Sequence, residues 1–183
     1  MWTTENSIAL YGIENWGNGY FSINDKGNIV IIPDKNRSQQ IDAIELVEEI
    51  ESAKDLEFPV LLRFPQMLES RITEITDAFF NAIDEFKYKG FYQPIFPMKV
   101  NQRKEVIEYI LKYGAKYNIG LEVGTKAELL AALSLGPSKD SLLICNGYKD
   151  EDYLRLALSI NNVNNIIIVV DLYEEIFDIL RYA

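Results

Sequence analysis

Residues 119–145 read IGLEVGTKAELLAALSLGPSKDSLLIC, and the fold prediction depends on this pattern. The stretch begins and ends with short apolar runs that are rich in Val, Ile and Leu. Between them, Thr125 and Glu128 have the spacing of a capping box, which predicts a helix that continues through Leu135. Unbroken apolar runs of this length are typical of strands that are buried on both faces of a parallel sheet. The stretch therefore predicts a strand–helix–strand unit.

The same alternation of apolar runs and helical patterns extends along the chain in both directions. Strands are predicted at residues 59–64, in a run that ends at Lys99, and at 119–123, 141–145 and 166–170. Helices are predicted from an N-cap at Ser38, along 68–86 and 106–114, from 125 to 135, from Gly147 to 160, and from a cap at Asp171 to 180. Apolar residues at three- and four-residue steps mark the helices. Five strands separated by helices predict an α/β fold.

Two α/β architectures fit this order, and the sequence favours one of them. A doubly wound nucleotide-binding fold has a glycine-rich phosphate turn after its first strand, and Arg63-Phe64-Pro65-Gln66 differs from GxGxxG. A closed (β/α) barrel needs about eight units and roughly 250 residues, whereas this chain has 183. We therefore expect an incomplete (β/α) TIM-type barrel segment of about five parallel βα units.

The N-terminal residues differ in character from the rest of the chain. Two short apolar runs flank the turn Asn24-Asp25-Lys26-Gly27, and the second run stops at Pro33, which predicts a short β-hairpin. We expect two parts: an N-terminal β or irregular segment at 1–37, and the first part of the barrel at 38–183.

The composition restricts the chemistry that the chain can perform. It contains no histidine, so by itself it cannot form Ser-His-Asp or Cys-His nucleophile systems or histidine zinc sites. A formal charge of −10 argues against a nucleic-acid or anionic-membrane partner. A single cysteine, no secretion signal and no run long enough to span a bilayer predict a soluble cytoplasmic protein. Lysine, carboxylates, tyrosine, backbone groups or a cofactor must therefore supply any reaction.

Lys99 is the candidate catalytic residue. It follows the strand-like run Phe96-Pro97-Met98, and functional groups collect at the carboxyl ends of strands in parallel α/β folds. An amine held in an apolar wall loses solvation, which favours its neutral form and makes it a nucleophile or a Schiff-base partner. The alternative interpretation is a strand-end lysine whose head extends to water.

Glu122 and the loop after the following strand provide further polar groups at the same predicted rim. Glu122 lies in an apolar run, where a carboxylate is costly unless it has a partner. That partner is a nearby lysine or a protonated cofactor nitrogen, or else Glu122 belongs to a structural salt bridge. Residues 146–150, NGYKD, offer hydrogen-bond donors, and the alternative is a helix-start loop with solvated charges. Cys145 is expected to be a small buried residue rather than a nucleophile.

Three segments together resemble a known family: FPMKVNQ at 96–102, GLEVGTKAEL at 120–129 and ICNGYKD at 144–150. In order and spacing they are similar to the N-terminal third of the biosynthetic arginine decarboxylase family. The likeness extends from about Ser7 to the last residue. Two departures are Met98, where the family pattern has isoleucine, and Val123-Gly124-Thr125, where it has Ala-Gly-Ser; both preserve the character of the site.

The resemblance implies a specific fold, cofactor and reaction. The family consists of pyridoxal-phosphate decarboxylases with an alanine-racemase-like barrel and a C-terminal β domain, and it is described with magnesium as well. Its members convert L-arginine to agmatine and CO2, on a route to putrescine and spermidine. Lys99 matches the lysine that holds the cofactor as an internal aldimine, and Glu122 matches a cofactor-binding carboxylate of related decarboxylases. The resemblance assigns no magnesium ligand, and it implies a homo-oligomer with active sites at the subunit interface.

The remaining functional groups of that family lie further along its sequence than these residues reach. They include the glycine-rich phosphate loop, the histidine that stacks on the cofactor ring, the acidic partner of the ring nitrogen and a cysteine from a second subunit. We therefore expect weak or absent activity from the chain by itself. Two alternatives stay open: a decarboxylase for ornithine, lysine or diaminopimelate, and a non-catalytic homologue or fragment that binds decarboxylase subunits.

Overall fold

A computed structural model describes residues 1–53, 56–160 and 165–183 of the chain. These residues form two compact units, Met1–Ser70 and Arg71–Ala183. The predicted boundary between residues 37 and 38 rests on a change in the sequence pattern, and it stays a prediction.

The first unit contains short helices and a small antiparallel sheet. Its elements are α1 (Thr4–Leu10), α2 (Ile13–Gly17), β1 (Phe21–Ile23), β2 (Ile29–Ile31), β3 (Ile41–Asp42) and α3 (Ala43–Ala53), and α4 (Pro65–Phe86) begins within it. The sheet order is β1-β2-β3. The predicted hairpin is confirmed, because Ser22 pairs with Val30 across the turn. Helix α1 was not predicted, although Thr3 and Asn6 form its capping box.

The predicted helix start at Ser38 is wrong. Ser38 lies in a 3-10 turn, and the residues after it form β3 against β2, so the helix begins only at Ala43. The physical reason is Asp42, whose Oδ1 accepts hydrogen bonds from the backbone N–H groups of Ile44 and Glu45. These bonds satisfy donors that a new helix leaves without partners.

The predicted strand at residues 59–64 is also wrong, since these residues pair with no strand of the described chain. Leu61 is 70% exposed and Leu62 is 39% exposed. An apolar run favours burial, but a strand also needs a neighbour that supplies hydrogen bonds. Helix α4 then begins at Pro65, a residue that fits the first turn because its missing N–H is not needed there.

The second unit is a four-stranded parallel sheet with helices between the strands. Its elements are β4 (Ile95–Pro97), α5 (Lys104–Gly114), β5 (Gly120–Val123), α6 (Lys126–Ser134), β6 (Leu142–Cys145), α7 (Glu151–Ser159), β7 (Asn165–Ile168) and α8 (Glu175–Tyr182). The strand order β4-β5-β6-β7 follows the chain, and all three pairings are parallel. The predicted α/β fold is confirmed as an open barrel-type segment, with four parallel strands in the described residues rather than about five.

The core lies on one face of this sheet. Leu121, Val123, Leu143 and Cys145 are at most 1% exposed and pack against buried residues of α5, α6 and α7. Side chains alternate between the two faces of a strand, so Glu122 leaves the sheet on the opposite face, away from this core. The packing of the helix-covered face therefore fixes the direction in which the candidate carboxylate points.

The last predicted helix begins later than expected. Asp171 does not cap it; helix α8 begins at Glu175, four residues further on. The backbone N–H of Asp171 instead donates a hydrogen bond to Glu175 Oε2 at 2.9 Å. The Glu175 carboxylate thus lies on the helix and accepts a hydrogen bond from Asp171, whereas the prediction has Asp171 as the residue that caps the helix.

Candidate active site

Lys99 lies two residues after the end of β4, in a 3-10 turn formed by Met98–Val100. Met98 is 2% exposed and anchors the turn in the core, whereas the Lys99 side chain is 68% exposed. The amine is thus at the carboxyl end of a strand, as the sequence predicts. Of the two interpretations of this lysine, an amine desolvated in an apolar wall or a head that extends to water, the exposed side chain agrees with the second.

Glu122 brings the second predicted residue next to the first. In the sheet register it lies between Pro97 of β4 and Ile144 of β6, and its side chain is 22% exposed. Its Oε1 atom lies 3.8 Å from Lys99 Nζ. A nearby lysine is one of the partners predicted for Glu122, and it is the one present in the described residues.

Asn146 adds an amide to this pair. It directly follows β6, and its backbone N–H donates to Val123 O at 2.8 Å. Its side-chain Nδ2 donates to Glu122 Oε1 at 3.3 Å. The same carboxylate oxygen therefore faces an ammonium and an amide, and three neighbouring strand ends contribute one polar side chain each.

Gly147 permits the loops after β5 and β6 to approach each other. Its φ of +71° lies in the left-handed region, and a Cβ there would be 2.5 Å from the carbonyl oxygen of Gly124. Only glycine fits both conditions without displacing the backbone. Its N–H also donates to Asn146 Oδ1 at 2.9 Å, which orients the amide that holds Glu122.

Glu128 joins the loops after β4 and β5. The predicted cap is confirmed in one half, since Thr125 Oγ1 accepts the Glu128 N–H at 3.1 Å. The Glu128 carboxylate does not return to Thr125, however. Its Oε2 accepts the Gly124 N–H at 2.6 Å, and its Oε1 accepts from Gln102 Nε2. The chain segment around Lys99 is thereby tied to the segment after Glu122.

The burial of Lys149 is the largest difference between the predicted and the observed site. One interpretation of residues 146–150 is a helix-start loop with solvated charges, but the Lys149 side chain is fully buried. Its Nζ lies 3.3 Å from Glu175 Oε2 and 3.8 Å from Asp171 Oδ2, and it donates to the Gly147 carbonyl oxygen. Two acidic residues four positions apart after the next strand were the only signal of this arrangement in the sequence.

The surroundings of Glu175 give it an acid-sensitive role in stability. Burial raises the pKa of its carboxyl group, but hydrogen bonds from the backbone of Asp171 and Lys149, together with the Lys149 ammonium, outweigh burial. The pKa therefore lies below its ordinary value of 4.5. A carboxylate with a depressed folded-state pKa stabilises the fold above the unfolded-state pKa, and this contribution is lost as pH falls through the folded-state pKa.

We expect the free energy of unfolding to fall when the pH is lowered from 4.5 through the depressed pKa of Glu175. The substitution Glu175→Gln removes the titrating group and should flatten this part of the pH dependence. Urea unfolding at a series of pH values measures the effect. Glu174→Gln, at the exposed neighbouring position, is the matched control for the loss of one carboxylate. Equal slopes for both variants and the wild type would contradict the assignment.

Cys145 is buried, as predicted. Burial raises the pKa of its thiol, and this outweighs the opposing influence of the Tyr153 hydroxyl and the Lys149 charge. A thiol with a raised pKa is a poor nucleophile near neutral pH. The interpretation of Cys145 as a packing residue therefore agrees with its surroundings.

The described residues contain neither a cluster of metal ligands nor a membrane-spanning helix. Within 1–53, 56–160 and 165–183, no group of three or more Cys, Asp or Glu side chains is placed to hold a metal ion. No helix in these ranges has both the length and the apolar character needed to cross a bilayer.

The amine and the carboxylate lie at the carboxyl ends of adjacent parallel strands, which is where parallel α/β folds, barrels among them, form their sites. Comparison with known families then specifies the class. The family model described as "Pyridoxal-dependent decarboxylase, pyridoxal binding domain" matches residues 72–183. The chain belongs to this family.

Curated relatives match nearly the whole chain. A biosynthetic arginine decarboxylase of Prochlorococcus marinus (strain MIT 9515) is 47% identical over 181 residues, which cover 98% of this chain and 28% of the relative. That of Phocaeicola vulgatus is 44% identical over 183 residues, which cover 100% of this chain and 29% of the relative. The chain thus spans between a quarter and a third of the length of these relatives.

A solved structure also matches the fold of this chain. The crystal structure of the biosynthetic arginine decarboxylase from Campylobacter jejuni superimposes with a TM-score of 0.84 at 32% sequence identity. The match covers 93% of this chain and 28% of the crystallised chain. The open sheet of the second unit therefore corresponds to part of a larger barrel-type fold.

Proposed function

We propose that these residues act as the N-terminal part of a pyridoxal-phosphate-dependent decarboxylase that converts L-arginine to agmatine and CO2, with Lys99 as the lysine that binds the cofactor. The observation that carries the proposal is the position of Lys99. Its amine lies at the carboxyl end of a strand, within the segment that matches the pyridoxal-binding domain, and 3.8 Å from Glu122. The names of the relatives support arginine as the substrate.

The residues at this edge fit such a cofactor. An aldehyde needs an accessible primary amine, and the Lys99 side chain is 68% exposed and faces a carboxylate. Glu122 and Asn146 offer an acceptor and a donor beside it. When bound, pyridoxal phosphate takes up the electron pair that remains on the substrate α-carbon after CO2 leaves.

The chain's own groups then have separate tasks. Lys99 Nζ would be the group that holds the cofactor, because it is a primary amine accessible at the carboxyl end of β4. Glu122 Oε1 would orient this amine, since it lies 3.8 Å from Lys99 Nζ. Lys99 can then return a proton to the carbon from which CO2 has left. Asn146 holds Glu122 in place throughout.

Several finer assignments rest on the resemblance. Magnesium is one of them, and the described residues contain no donor cluster that fits it. A cytoplasmic location is supported by the single cysteine, which suits a reducing compartment. A homo-oligomer with shared active sites remains part of the proposal, as does the polyamine pathway.

The substrate is tested on the product of the complete reading frame. We expect release of labelled CO2 from carboxyl-labelled L-arginine, and a kcat/KM for ornithine and lysine that is lower by about 10²-fold or more, because a site built for the guanidinium group rejects analogues that lack its hydrogen bonds. Lys104→Arg, at an exposed lysine outside the candidate site, serves as the control with unchanged activity. Preferred turnover of ornithine or lysine would contradict arginine as the substrate. Purified, folded protein that binds pyridoxal phosphate at Lys99 but decarboxylates none of the three would favour the non-catalytic alternative.

A further inference from the structure

The buried amine of Lys149 has no task in the proposed reaction. Its side chain has no exposed surface, and its charge is balanced by Glu175 and by the half-exposed Asp171. The Lys149 backbone N–H also donates to Glu175 Oε1 at 3.1 Å, so Glu175 holds both ends of this residue. The complete burial of a lysine side chain at the end of a sheet requires a physical explanation.

Stability alone is a weak reason to bury an ion pair. Desolvation of the two charges offsets most of their attraction, and apolar residues of similar volume often stabilise a fold equally well. What a buried, hydrogen-bonded pair does provide is a fixed geometry for the groups that it contacts. Lys149 therefore fixes the geometry of the groups that its amine contacts.

The contacts of Lys149 lead to the candidate active site. Its Nζ donates to the carbonyl oxygen of Gly147, the residue whose left-handed backbone lets the loops after β5 and β6 meet. The N–H of Gly147 donates to Asn146 Oδ1, and Asn146 Nδ2 donates to Glu122. Glu122 in turn faces the Lys99 amine. Each step is a direct contact between neighbouring groups.

We propose that Lys149 is a positioning residue of this site: together with Glu175 it fixes the loop after β6, so that Asn146 holds Glu122 beside Lys99. This inference rests on the proposed function, because it concerns the residue that binds the cofactor. It assigns Lys149 no contact with cofactor or substrate. Loss of the buried pair should leave the sheet intact but release Asn146, and with it the carboxylate that faces the amine.

The test measures how fast the amine of Lys99 reacts, without requiring turnover. Cofactor-free protein from the complete reading frame is mixed with pyridoxal phosphate and quenched with borohydride at intervals. The Lys99 amine attacks the aldehyde carbon, water leaves, and hydride reduces the new C=N bond to a stable secondary amine. Mass spectrometry of the Lys99 peptide then gives the rate. We expect Lys149→Met to slow this rate by about tenfold or more, since small displacements of reacting groups have large effects on rate.

A double-mutant cycle separates positioning from a general loss of stability. Lys149→Met and Asn146→Ala should each slow labelling, and the double variant should be no slower than the slower single variant, because both changes break the same chain of contacts. Ile110→Ala, in the buried face of α5, provides a control with a lowered melting temperature and an unchanged labelling rate. If Lys149→Met does not fold, Glu175→Gln replaces it in the same cycle.

The outcomes distinguish the two proposals. Wild-type protein that is not labelled at Lys99 would overturn the proposed function itself. Wild-type protein labelled at Lys99, with Lys149→Met or its replacement no slower than Ile110→Ala, would overturn only the positioning role. Rate effects of the two substitutions that multiply in the double variant would do the same, because independent effects indicate that Lys149 does not act through Asn146.

Discussion

Replacing Lys99 by arginine is expected to abolish covalent attachment of pyridoxal phosphate at this position. Arginine keeps the positive charge that faces Glu122, but its guanidinium stays protonated and does not act as an amine nucleophile. Any loss therefore reports on the amine rather than on the charge. In the product of the complete reading frame, we expect decarboxylation to fall by about 10³-fold or more, since the group needed for attachment and for proton transfer is removed.

Lys104 provides a closely matched control for this substitution. Its side chain is 74% exposed and lies 3.7 Å from Glu108, whereas that of Lys99 is 68% exposed and 3.8 Å from Glu122. The two lysines thus have nearly the same exposure and the same kind of partner. Lys104→Arg should retain both labelling and CO2 release. If both arginine variants behave alike, Lys99 has no special role.

Replacing Gly120 by alanine should have the largest effect on stability. A Cβ at this position would lie 2.2 Å from the backbone oxygen of Leu142 and 2.6 Å from Cδ1 of Ile95. The Leu142 atom belongs to the backbone of the adjacent strand, so relief requires that β5 and β6 separate. We expect the free energy of unfolding to fall by about 3 kcal/mol or more, at the upper end of overpacking effects.

Gly136→Ala is the control for this second substitution, and urea unfolding compares the two. Gly136 has a φ of +61°, and a Cβ added there would have no atom within 4 Å, so alanine meets backbone strain without a clash. That strain costs about 1–2 kcal/mol. The unfolding midpoint should therefore decrease much more for Gly120→Ala than for Gly136→Ala. Equal midpoints would show that β5 and β6 do not approach as closely as the structure has them.

The parallel sheet could be predicted from sequence because its apolar runs favour strands locally and the fold also gives these strands neighbours to pair with. Residues 119–123 and 141–145 are apolar runs next to clear helix signals, and both become central strands. Residues 59–64 carry a similar apolar run, but no strand within the described part of the chain pairs with them. A strand depends on its partner, and a partner is a property of the fold rather than of the run.

The candidate site shows a related limit. Lys99 and Glu122 could be selected because each lies at the end of a predicted strand, where parallel α/β folds place functional groups. The burial of Lys149 could not, since it depends on Glu175, which lies 26 residues away in sequence. The same is true of the Glu128 carboxylate, which accepts from Gln102 as well as from Gly124. Pairings across loops require the strand register, which no single segment contains.

Peptide mapping of the borohydride-reduced adduct tests the central assignment most directly. Protein from the complete reading frame is incubated with pyridoxal phosphate, reduced, digested and analysed by mass spectrometry. If Lys99 binds the cofactor, the pyridoxyl group is found on the peptide that contains residue 99, in near-stoichiometric amount and ahead of every other lysine. A pyridoxyl group on a different lysine, or one spread evenly over the exposed lysines, would contradict the assignment.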